Sequence, residues 1–421
     1  MRARIVIVGG GVMGTSIAMH AARRCGELDG SVVLLERKHC GAGESGRSGS
    51  ILRQFYSDRE LIGMACDSLR EYASFEARTG RSIGFTRCGV LTLGGPDKPE
   101  SLQLVERNIA LMRAAGVEVE RVGADEIRKL VPGIAVGVET IGAWERDAGF
   151  VDPQRTVDAF AELARFYGAT LRTHAEVTAL HIEKGRILGV ETSEGEVEAE
   201  LVVVAAGPWT RKLLLAAGID LPLRTVRPEQ HFLVMPRVRR KLEDDSTPEI
   251  PDADIDPRFA SESEPPAAHP VLLDIERDYY TRCEPRLGRS RVGAMNYERD
   301  IELDDPDALD EKVSEEFQHW ARASLERRMP IYRGERDLSA QAAWYTLTPD
   351  AQALIGECPG AQNLFVVSGF SGHGFKLAPS IGAGVTQMLL REPIGAFDAQ
   401  FFAPTRFESL ARANAGARFG L

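Results

Sequence analysis

The order of motifs in the first 36 residues constrains the fold more than any other feature of the sequence. A short apolar run leads into glycines spaced G-x-G-x-x-G, at Gly9, Gly11 and Gly14, and a helical pattern follows them. A second β-branched run, residues 32–35, then ends in Glu36. Strand, glycines, helix, strand and acid in this order predict a βαβ unit that binds a dinucleotide.

Each part of this unit has a physical role in holding a pyrophosphate. Gly9 lets the strand turn sharply, Gly11 places no side chain between the phosphates and the backbone, and Gly14 lets the helix lie close to the strand. The phosphates meet the free N–H groups at the positive end of the helix, where Val12 and Met13 stand. These five residues are therefore candidate cofactor contacts.

The acid at the end of the second strand narrows the choice of dinucleotide. Glu36 lies 22 residues after Gly14, about where an acid accepts a hydrogen bond from a ribose hydroxyl. Its carboxylate would repel a 2′-phosphate, which argues against NADP, and Arg37 beside it is a further candidate contact. An ordinary glycine-rich turn is the alternative interpretation, but it leaves Glu36 unexplained.

Length and composition limit the class of protein. A chain of 421 residues is too long for one simple core and predicts two domains. Its 43% apolar and 27% charged residues are typical of a soluble globular protein, and its net charge of −11 offers no basic surface to nucleic acid. No apolar run is long enough to span a bilayer, and the first strand begins too early to leave room for a signal or transit peptide. The six cysteines show no C-x-x-C pair and no metal-like spacing, so we expect reduced thiols, no metal site and a cytoplasmic location.

Two further stretches are rich in small residues. Residues 40–50 read CGAGESGRSGS, and the backbone amides and hydroxyls of such a loop can contact a phosphate or a flavin edge. Residues 201–209 read LVVVAAGPW, a buried strand that ends where backbone can approach a ligand. The candidate contacts are Ser45, Gly46, Arg47 and Ser48 in the loop, Ala206, Gly207 and Trp209 after the strand, and Val177 on an earlier alternating strand. A flexible surface loop and a plain buried strand are the alternative interpretations.

A second glycine-rich turn lies near the carboxyl end of the chain. A strand predicted at residues 363–367 leads into GFSGHGFK at residues 369–376, and a helix follows to Leu390. Two such turns could hold opposite ends of one extended cofactor, because each presents amides at a helix N-terminus. The candidate contacts in this turn are Gly369, Gly372, His373, Gly374, Phe375 and Lys376.

The acidic stretch at residues 241–268 differs sharply from the rest of the chain. It is rich in acids and prolines and has almost no large apolar side chains. Such a segment cannot bury enough surface to offset the entropy lost on ordering. We predict a mobile insertion on the rim of the second domain, with a lid or a partner contact as the alternative.

Taken together, the motifs resemble those of the D-amino-acid oxidase superfamily of FAD enzymes, in its sarcosine oxidase and dimethylglycine dehydrogenase branch. The segments that carry the resemblance are VGGGVMG (8–14), Glu36, SGRSGSILRQFY (45–56), VVVAAGPW (202–209), YYTR (279–282), WYTLTPD (344–350) and GFSGHGFK (369–376). The last segment discriminates most, because plain nicotinamide dehydrogenases lack it, and it changes the predicted dinucleotide to FAD.

The resemblance implies an α/β fold, with a Rossmann-like FAD-binding domain interleaved with a substrate domain whose mixed sheet covers the flavin. The FAD-binding domain is predicted at residues 1–80, 150–222 and 341–395, the substrate domain at 81–149 and 223–340, and a tail at 396–421. Within the substrate domain, residues 81–95 predict a short hairpin.

The resemblance also implies a reaction. In that family a hydride equivalent leaves the carbon beside a substrate amine for flavin N5, and the resulting imine hydrolyses. The substrates are small amino acids, often N-methylated. The resemblance implies that Arg53 and Lys376 bind the substrate carboxylate, Arg53 through its planar guanidinium and Lys376 as a point charge. Tyr280 and Tyr345 match pocket tyrosines of the branch. A pair of surface cations is the alternative interpretation of Arg53 and Lys376.

Four positions depart from the monomeric sarcosine oxidases. Ala343 stands where those proteins carry the cysteine that attaches FAD, so we predict non-covalent FAD. In an ungapped alignment, Arg291 falls on their oxygen-activating lysine, Met295 on an active-site histidine and Ser50 on an arginine near the flavin. Arg291 is therefore a candidate catalytic residue, and the electron acceptor is either O₂ or another oxidant.

These observations predict an FAD-dependent amine or amino-acid oxidase or dehydrogenase. A non-catalytic FAD-binding assembly or chaperone protein on the same scaffold is the alternative, motivated by the acidic insertion and the altered pocket. An NAD dehydrogenase is the weakest hypothesis, since nothing resembles a nicotinamide-binding half.

Overall fold

The computed structural model describes residues 1–26, 31–237 and 268–407. The acidic insertion predicted at 241–268 therefore lies outside the described residues apart from its last position, as does the greater part of the predicted tail, 408–421. The helices are α1 (Val12–Cys25), α2 (Arg59–Thr79), α3 (Pro99–Ala114), α4 (Ala124–Leu130), α5 (Pro153–Phe166), α6 (Thr210–Ala216), α7 (Glu315–Arg328) and α8 (Ala378–Leu389). The strands are β1 (Arg2–Val8), β2 (Val32–Glu36), β3 (Ile51–Leu52), β4 (Val90–Gly94), β5 (Glu120–Val122), β6 (Ile141–Glu145), β7 (Gly149–Phe150), β8 (Thr170–Thr173), β9 (Val177–Glu183), β10 (Arg186–Thr192), β11 (Gly195–Val204), β12 (Arg224–Arg227), β13 (Glu229–Val234), β14 (Val271–Asp274), β15 (Tyr279–Glu284), β16 (Arg289–Ala294), β17 (Ile301–Leu303), β18 (Asp337–Ala342), β19 (Tyr345–Leu347), β20 (Leu354–Glu357) and β21 (Leu364–Ser368).

The first sheet has the order β20-β21-β11-β1-β2-β8, extended by β10 and β9 beside β11. Neighbours from β21 through β8 are parallel, while β20, β10 and β9 pair antiparallel. Strand β1 is apolar along most of its length because both faces are covered, which is typical of a parallel sheet. Helix α1 packs against both α5 and α8.

Local signals in the sequence account for where several helices begin. The Asp58 carboxylate accepts a hydrogen bond from Glu60 N at 2.7 Å and caps α2. The Asp152 carboxylate does the same for α5 through Arg155 N at 2.9 Å, with Pro153 in the first helical position. Both are the expected N-cap arrangement, in which a side-chain oxygen satisfies an otherwise unpaired N–H.

The second sheet has the order β18-β13-β16-β15-β14-β4-β6-β5. All its neighbours are antiparallel except β14 and β4, which are parallel. The mixed sheet expected for the second domain is therefore confirmed. The hairpin predicted at residues 81–95 is wrong, because β4 pairs with β14 and β6 instead of folding back on the preceding residues.

The two sheets draw on interleaved parts of the chain. Strands of the first sheet lie within residues 2–36, 170–204 and 354–368, and those of the second within 90–145 and 229–342. This alternation agrees with the predicted α/β fold, while the domain boundaries themselves stay a prediction. Within the described ranges, no helix has the length and apolar character needed to cross a membrane.

Candidate active site

The carboxyl ends of four neighbouring parallel strands form one edge of the first sheet. Val8 of β1 is in register with Leu35 of β2 and with Val204 of β11, and Val204 is in register with Val366 of β21. The glycine-rich turns, Glu36 and the Ala-Ala-Gly segment all follow these positions directly. In open parallel sheets this edge is where ligands bind.

A cavity of about 700 Å³ runs along this edge and continues under the second sheet. Both glycine-rich turns line it, so the structure brings together two motifs that lie more than 350 residues apart in the chain. The predicted cofactor contacts that line it are Gly9, Gly11, Val12, Met13, Glu36, Arg37, Ser45, Arg47, Ser48, Val177, Ala206, Gly207, Trp209, Gly372, His373, Gly374, Phe375 and Lys376. Its volume and its lining by both turns suit an extended dinucleotide.

Three predicted glycines, Gly14, Gly46 and Gly369, lie behind the cavity wall. A Cβ at Gly14 would stand 1.9 Å from Gly9 O, and one at Gly46 would stand 2.3 Å from Gly41 O. Gly369 has a φ of +76° and would clash with Thr348. These glycines shape the turns without lining the cavity.

Backbone amides of the first turn hold the acid that ends β2. One carboxylate oxygen of Glu36 accepts from Gly10 N at 2.7 Å, and the other accepts from Lys38 N at 2.8 Å. These bonds fix the carboxylate at the cavity wall while leaving lone pairs for a further donor. Ser45 Oγ accepts from Val12 N at 2.9 Å and ties the 40–50 loop to the start of α1.

Arg53 and Lys376 also line the cavity and are 6% and 7% exposed. The Arg53 guanidinium lies 4.4 Å from the centre of the Tyr56 ring, and Lys376 Nζ lies 6.0 Å from the same point. Arg53 donates to Phe55 O, and Lys376 Nζ donates to His373 O at 3.2 Å. Both are buried, so the alternative of two surface cations does not hold.

Burial sets the protonation of the groups around these cations. It lowers the pKa of Lys376 well below its usual range, and the nearby Arg53 charge adds to the shift. It also lowers the pKa of His373 to about 3, so that imidazole is neutral and pairs with Tyr56 Oη at 3.3 Å and Ala351 O at 2.8 Å. An anion between the cations would reverse part of the shift on Lys376, because it favours the charged ammonium.

Tyr280 and Tyr345 also line the cavity. Tyr280 reaches over from β15 to Gly49, where a Cβ would stand 3.6 Å from its hydroxyl. Burial raises the pKa of both phenols, which keeps them neutral and able to donate.

Arg291, predicted as a catalytic residue, does not line the cavity. Its guanidinium donates to Glu284 at 2.8 Å, to Gln230 at 2.5 Å and to Arg47 O at 2.8 Å. Arg282 shares the same Glu284 carboxylate at 2.7 Å. This places Arg291 behind the 40–50 loop, in a supporting position.

Sequence reasoning missed a segment, residues 305–311, that lines the cavity and contacts side chains that follow β2 and β11. Asp307 accepts from Arg37 at 2.8 Å, from Trp209 Nε1 at 2.9 Å and from Lys212 at 3.1 Å. Trp344 Nε1 donates to Pro306 O at 2.9 Å. We call residues 305–311 the crossing segment. Its acids could have been matched to cations of the first domain only with knowledge of the tertiary fold.

The residues present fit a bound dinucleotide. The 14-residue helix α1 points its N-terminus at the cavity, as a pyrophosphate requires. Gly9 has a φ of +109°, and a Cβ there would stand 2.4 Å from Ala205 O. The tight turn thus depends on glycine. Ala343 lines the cavity and, in the described part of the chain, the lining includes no cysteine.

The remaining feature is the state of the cysteines and of the potential metal ligands. All six cysteines are free thiols. Across the described ranges, no group of three or more His, Cys, Asp or Glu side chains is arranged to hold a metal ion.

A family model described as FAD dependent oxidoreductase matches residues 4–388. Among curated proteins, the chain is 29% identical to 4-methylaminobutanoate oxidase (formaldehyde-forming) of Paenarthrobacter nicotinovorans, over 96% of this chain and 45% of that protein. It is 28% identical to monomeric sarcosine oxidase of Bacillus sp. (strain B-0618), over 92% of each, and 27% identical to mitochondrial dimethylglycine dehydrogenase of Rattus norvegicus, over 96% and 45%. The chain thus spans about half the length of the first and third of these relatives.

Solved structures with the same fold include two that cover nearly the whole chain. L-proline dehydrogenase from P. horikoshii matches with a TM-score of 0.82 at 24% identity, over 97% of this chain and 98% of that one. Glycine oxidase from Geobacillus kaustophilus matches with a TM-score of 0.78 at 22% identity, over 96% and 99%.

Proposed function

The chain belongs to the FAD-dependent oxidoreductase family, and from this premise we propose that it oxidises the carbon–nitrogen bond of a small amino acid or N-alkyl amino acid. The predicted family and the predicted FAD cofactor are confirmed by the match over residues 4–388. The NAD dehydrogenase hypothesis has no support left. The substrate and the electron acceptor are part of the proposal.

FAD would be held by the first turn at Gly9 to Met13, by Glu36, by the 40–50 loop and by the second turn at Gly372 to Lys376. When bound, it supplies an acceptor for the hydride equivalent that leaves the carbon beside the substrate amine. With Ala343 at the family's attachment position, the proposal keeps FAD non-covalent.

The chain's own residues bind and orient the substrate. Arg53 and Lys376 both line the cavity near the Tyr56 ring, where a carboxylate would bind both the guanidinium and the ammonium. Because both cations are buried, these bonds are formed away from competing water, where a charge-assisted hydrogen bond contributes about 1.5 to 3 kcal/mol. Tyr280 and Tyr345 add neutral hydroxyl donors beside them. The substrate carboxylate is thereby fixed, and so is the carbon that bears the amine.

The observation that carries this proposal is the pair of buried cations beside the Tyr56 ring, in the same cavity that the dinucleotide turn lines. Their combination fits a molecule with a carboxylate close to its reacting carbon. Arg53 donates to Phe55 O, and Lys376 Nζ donates to His373 O at 3.2 Å, so backbone carbonyls hold both cations in place.

Anaerobic reduction of the bound flavin tests the proposal. The purified yellow protein is mixed with N-methyl, cyclic, and D- and L-amino acids in turn, and the flavin absorbance near its visible maximum is followed before air is admitted. We expect at least one amino acid to bleach the flavin, whereas the same amine without a carboxylate should not. A yellow protein that no amino acid bleaches would contradict the proposal, and co-purification with a partner would then favour the assembly-protein alternative.

A further inference from the structure

A buried carboxylate, Glu145, lies beside the two cations of the candidate substrate site. Glu145 is the last residue of β6 and is 1% exposed. Its Oε2 accepts from Gln54 N at 2.5 Å, directly after Arg53 in the chain. Its Oε1 has no hydrogen-bond partner among the described residues. A half-satisfied buried carboxylate is costly, so its presence calls for a role.

The bond to Gln54 couples the second sheet to the arginine that is proposed to bind the substrate. Gln54 Nε2 in turn donates to Cys66 Sγ of α2 at 2.8 Å. The residue after Arg53 is therefore held on both its backbone and its side chain. A shift of Glu145 would move the chain that carries Arg53.

The charges around Glu145 come from three other elements. Arg53 and Tyr56 face it from the segment after β3, Cys66 from α2, and Lys376 from the turn before α8. Burial raises the pKa of Glu145 to about 7, and the two cations oppose that shift. Burial also raises the pKa of Tyr56 to about 12 and raises that of Cys66, so neither titrates near neutrality.

We propose that Glu145 is a positioning residue of the substrate-anion site, which anchors the backbone after Arg53 and, by gaining or losing a proton, adjusts how strongly Arg53 and Lys376 attract a carboxylate. This inference rests on the proposed function, since it takes the two cations as the carboxylate site. Protonation of Glu145 removes its negative charge from beside both cations. Ionised Glu145 offsets one of them and weakens the attraction.

The sign of the pH dependence follows from linkage. A bound anion favours protonated Glu145 and therefore raises its pKa above the value in the free protein. Anion affinity is then greatest below pH 7, falls as pH rises through about 7, and levels off above the raised pKa. Lys376 would weaken anion binding with the same sign when it loses its proton, so a test must separate the two groups.

Acetate is a suitable probe, because it carries the carboxylate and cannot be oxidised at a C–N bond. Its dissociation constant is measured from the change in flavin absorbance of the FAD-loaded protein between pH 6 and 8.5. We expect the wild-type affinity to fall about tenfold across this range, the change that one pK unit of interaction produces. Glu145→Gln keeps an oxygen for Gln54 N and removes the titration of Glu145, so we expect a smaller fall, with about tenfold tighter acetate binding than wild type at pH 8.5.

Lys376→Met separates the two titrations. It should weaken acetate at every pH but retain the fall near neutrality if Glu145 causes it. A flat wild-type profile, a Glu145→Gln profile that falls as steeply as wild type, or a Lys376→Met profile without a fall would overturn the inference. If Glu145→Gln loses FAD, the wild-type and Lys376→Met profiles still decide. Acetate binding needs no turnover. If acetate affinity falls with pH as expected but no amino acid reduces the flavin, this inference stands while the proposed function fails.

Discussion

Replacing Arg53 by alanine should remove most of the binding of a carboxylate substrate. The variant deletes a buried fork that, in the proposed complex, makes charge-assisted hydrogen bonds out of contact with water. Truncating one partner of such a buried pair costs about 2 to 4 kcal/mol, since the anion is left facing Lys376 alone. This corresponds to a loss of about 30- to 1000-fold in kcat/KM. Steady-state kinetics with the best substrate of the anaerobic panel would measure it.

Arg53→Ala also removes the contact between the Arg53 guanidinium and the Tyr56 ring, which lies 4.4 Å away, so a control for this packing is needed. Arg53→Lys is the matched control, because it keeps the charge and loses the fork; we expect a smaller loss than for alanine. Flavin content reports on the integrity of each variant. If Arg53→Ala keeps its FAD and its kcat/KM for a carboxylate substrate, Arg53 does not bind the carboxylate and the reasoning is refuted.

Three further predictions concern FAD release, the stability of the first turn and flavin reoxidation. Asp307→Asn should speed FAD release about threefold to tenfold, because it weakens three partly exposed bonds between the crossing segment and the first domain. Flavin fluorescence after dilution measures the release rate, and an unchanged rate would show that the crossing segment does not help to retain FAD. Gly14→Ala places a Cβ 1.9 Å from Gly9 O and should lower the free energy of unfolding by at least about 2 kcal/mol. The change is read from Tm. The control is Gly63→Ala in α2, which should not lower the stability because its Cβ meets nothing within 4 Å. The reduced flavin should pass electrons faster to an artificial acceptor than to O₂, since Arg291 lies away from the cavity; stopped-flow reoxidation as fast in air as with the acceptor would contradict this.

The cofactor end of the site could be predicted because its signals are local. A strand that ends in glycines and a helix that begins within three residues leave little choice of backbone path, so Gly9, Gly11 and Glu36 fall on the cavity wall as expected. The position of Glu36 likewise depends only on where β2 ends. The motif also predicts cavity contacts at Gly14 and Gly46, because a sequence does not distinguish a glycine that lines a cavity from one that packs behind it.

The substrate end could be predicted only in part, because tertiary register decides it. An ungapped alignment predicts Arg291 at the site, but the direction of its side chain depends on the pairing of β16 with β13 and β15, and its guanidinium contacts Glu284. Glu145 reaches Arg53 through a contact between residues more than 90 positions apart. The parallel pairing of β4 with β14 likewise joins segments about 180 residues apart. For this reason β4 does not form the hairpin predicted at residues 81–95.

The central claim is that one cavity holds FAD at the two glycine-rich turns and a substrate carboxylate at Arg53 and Lys376. A crystal structure of the purified yellow protein soaked with acetate tests it most directly. We predict flavin dinucleotide density from Glu36 to the second turn, with the acetate oxygens within hydrogen-bond distance of both cations. Flavin bound elsewhere, or acetate absent from Arg53 and Lys376 at a concentration that shifts the flavin spectrum, would contradict the account.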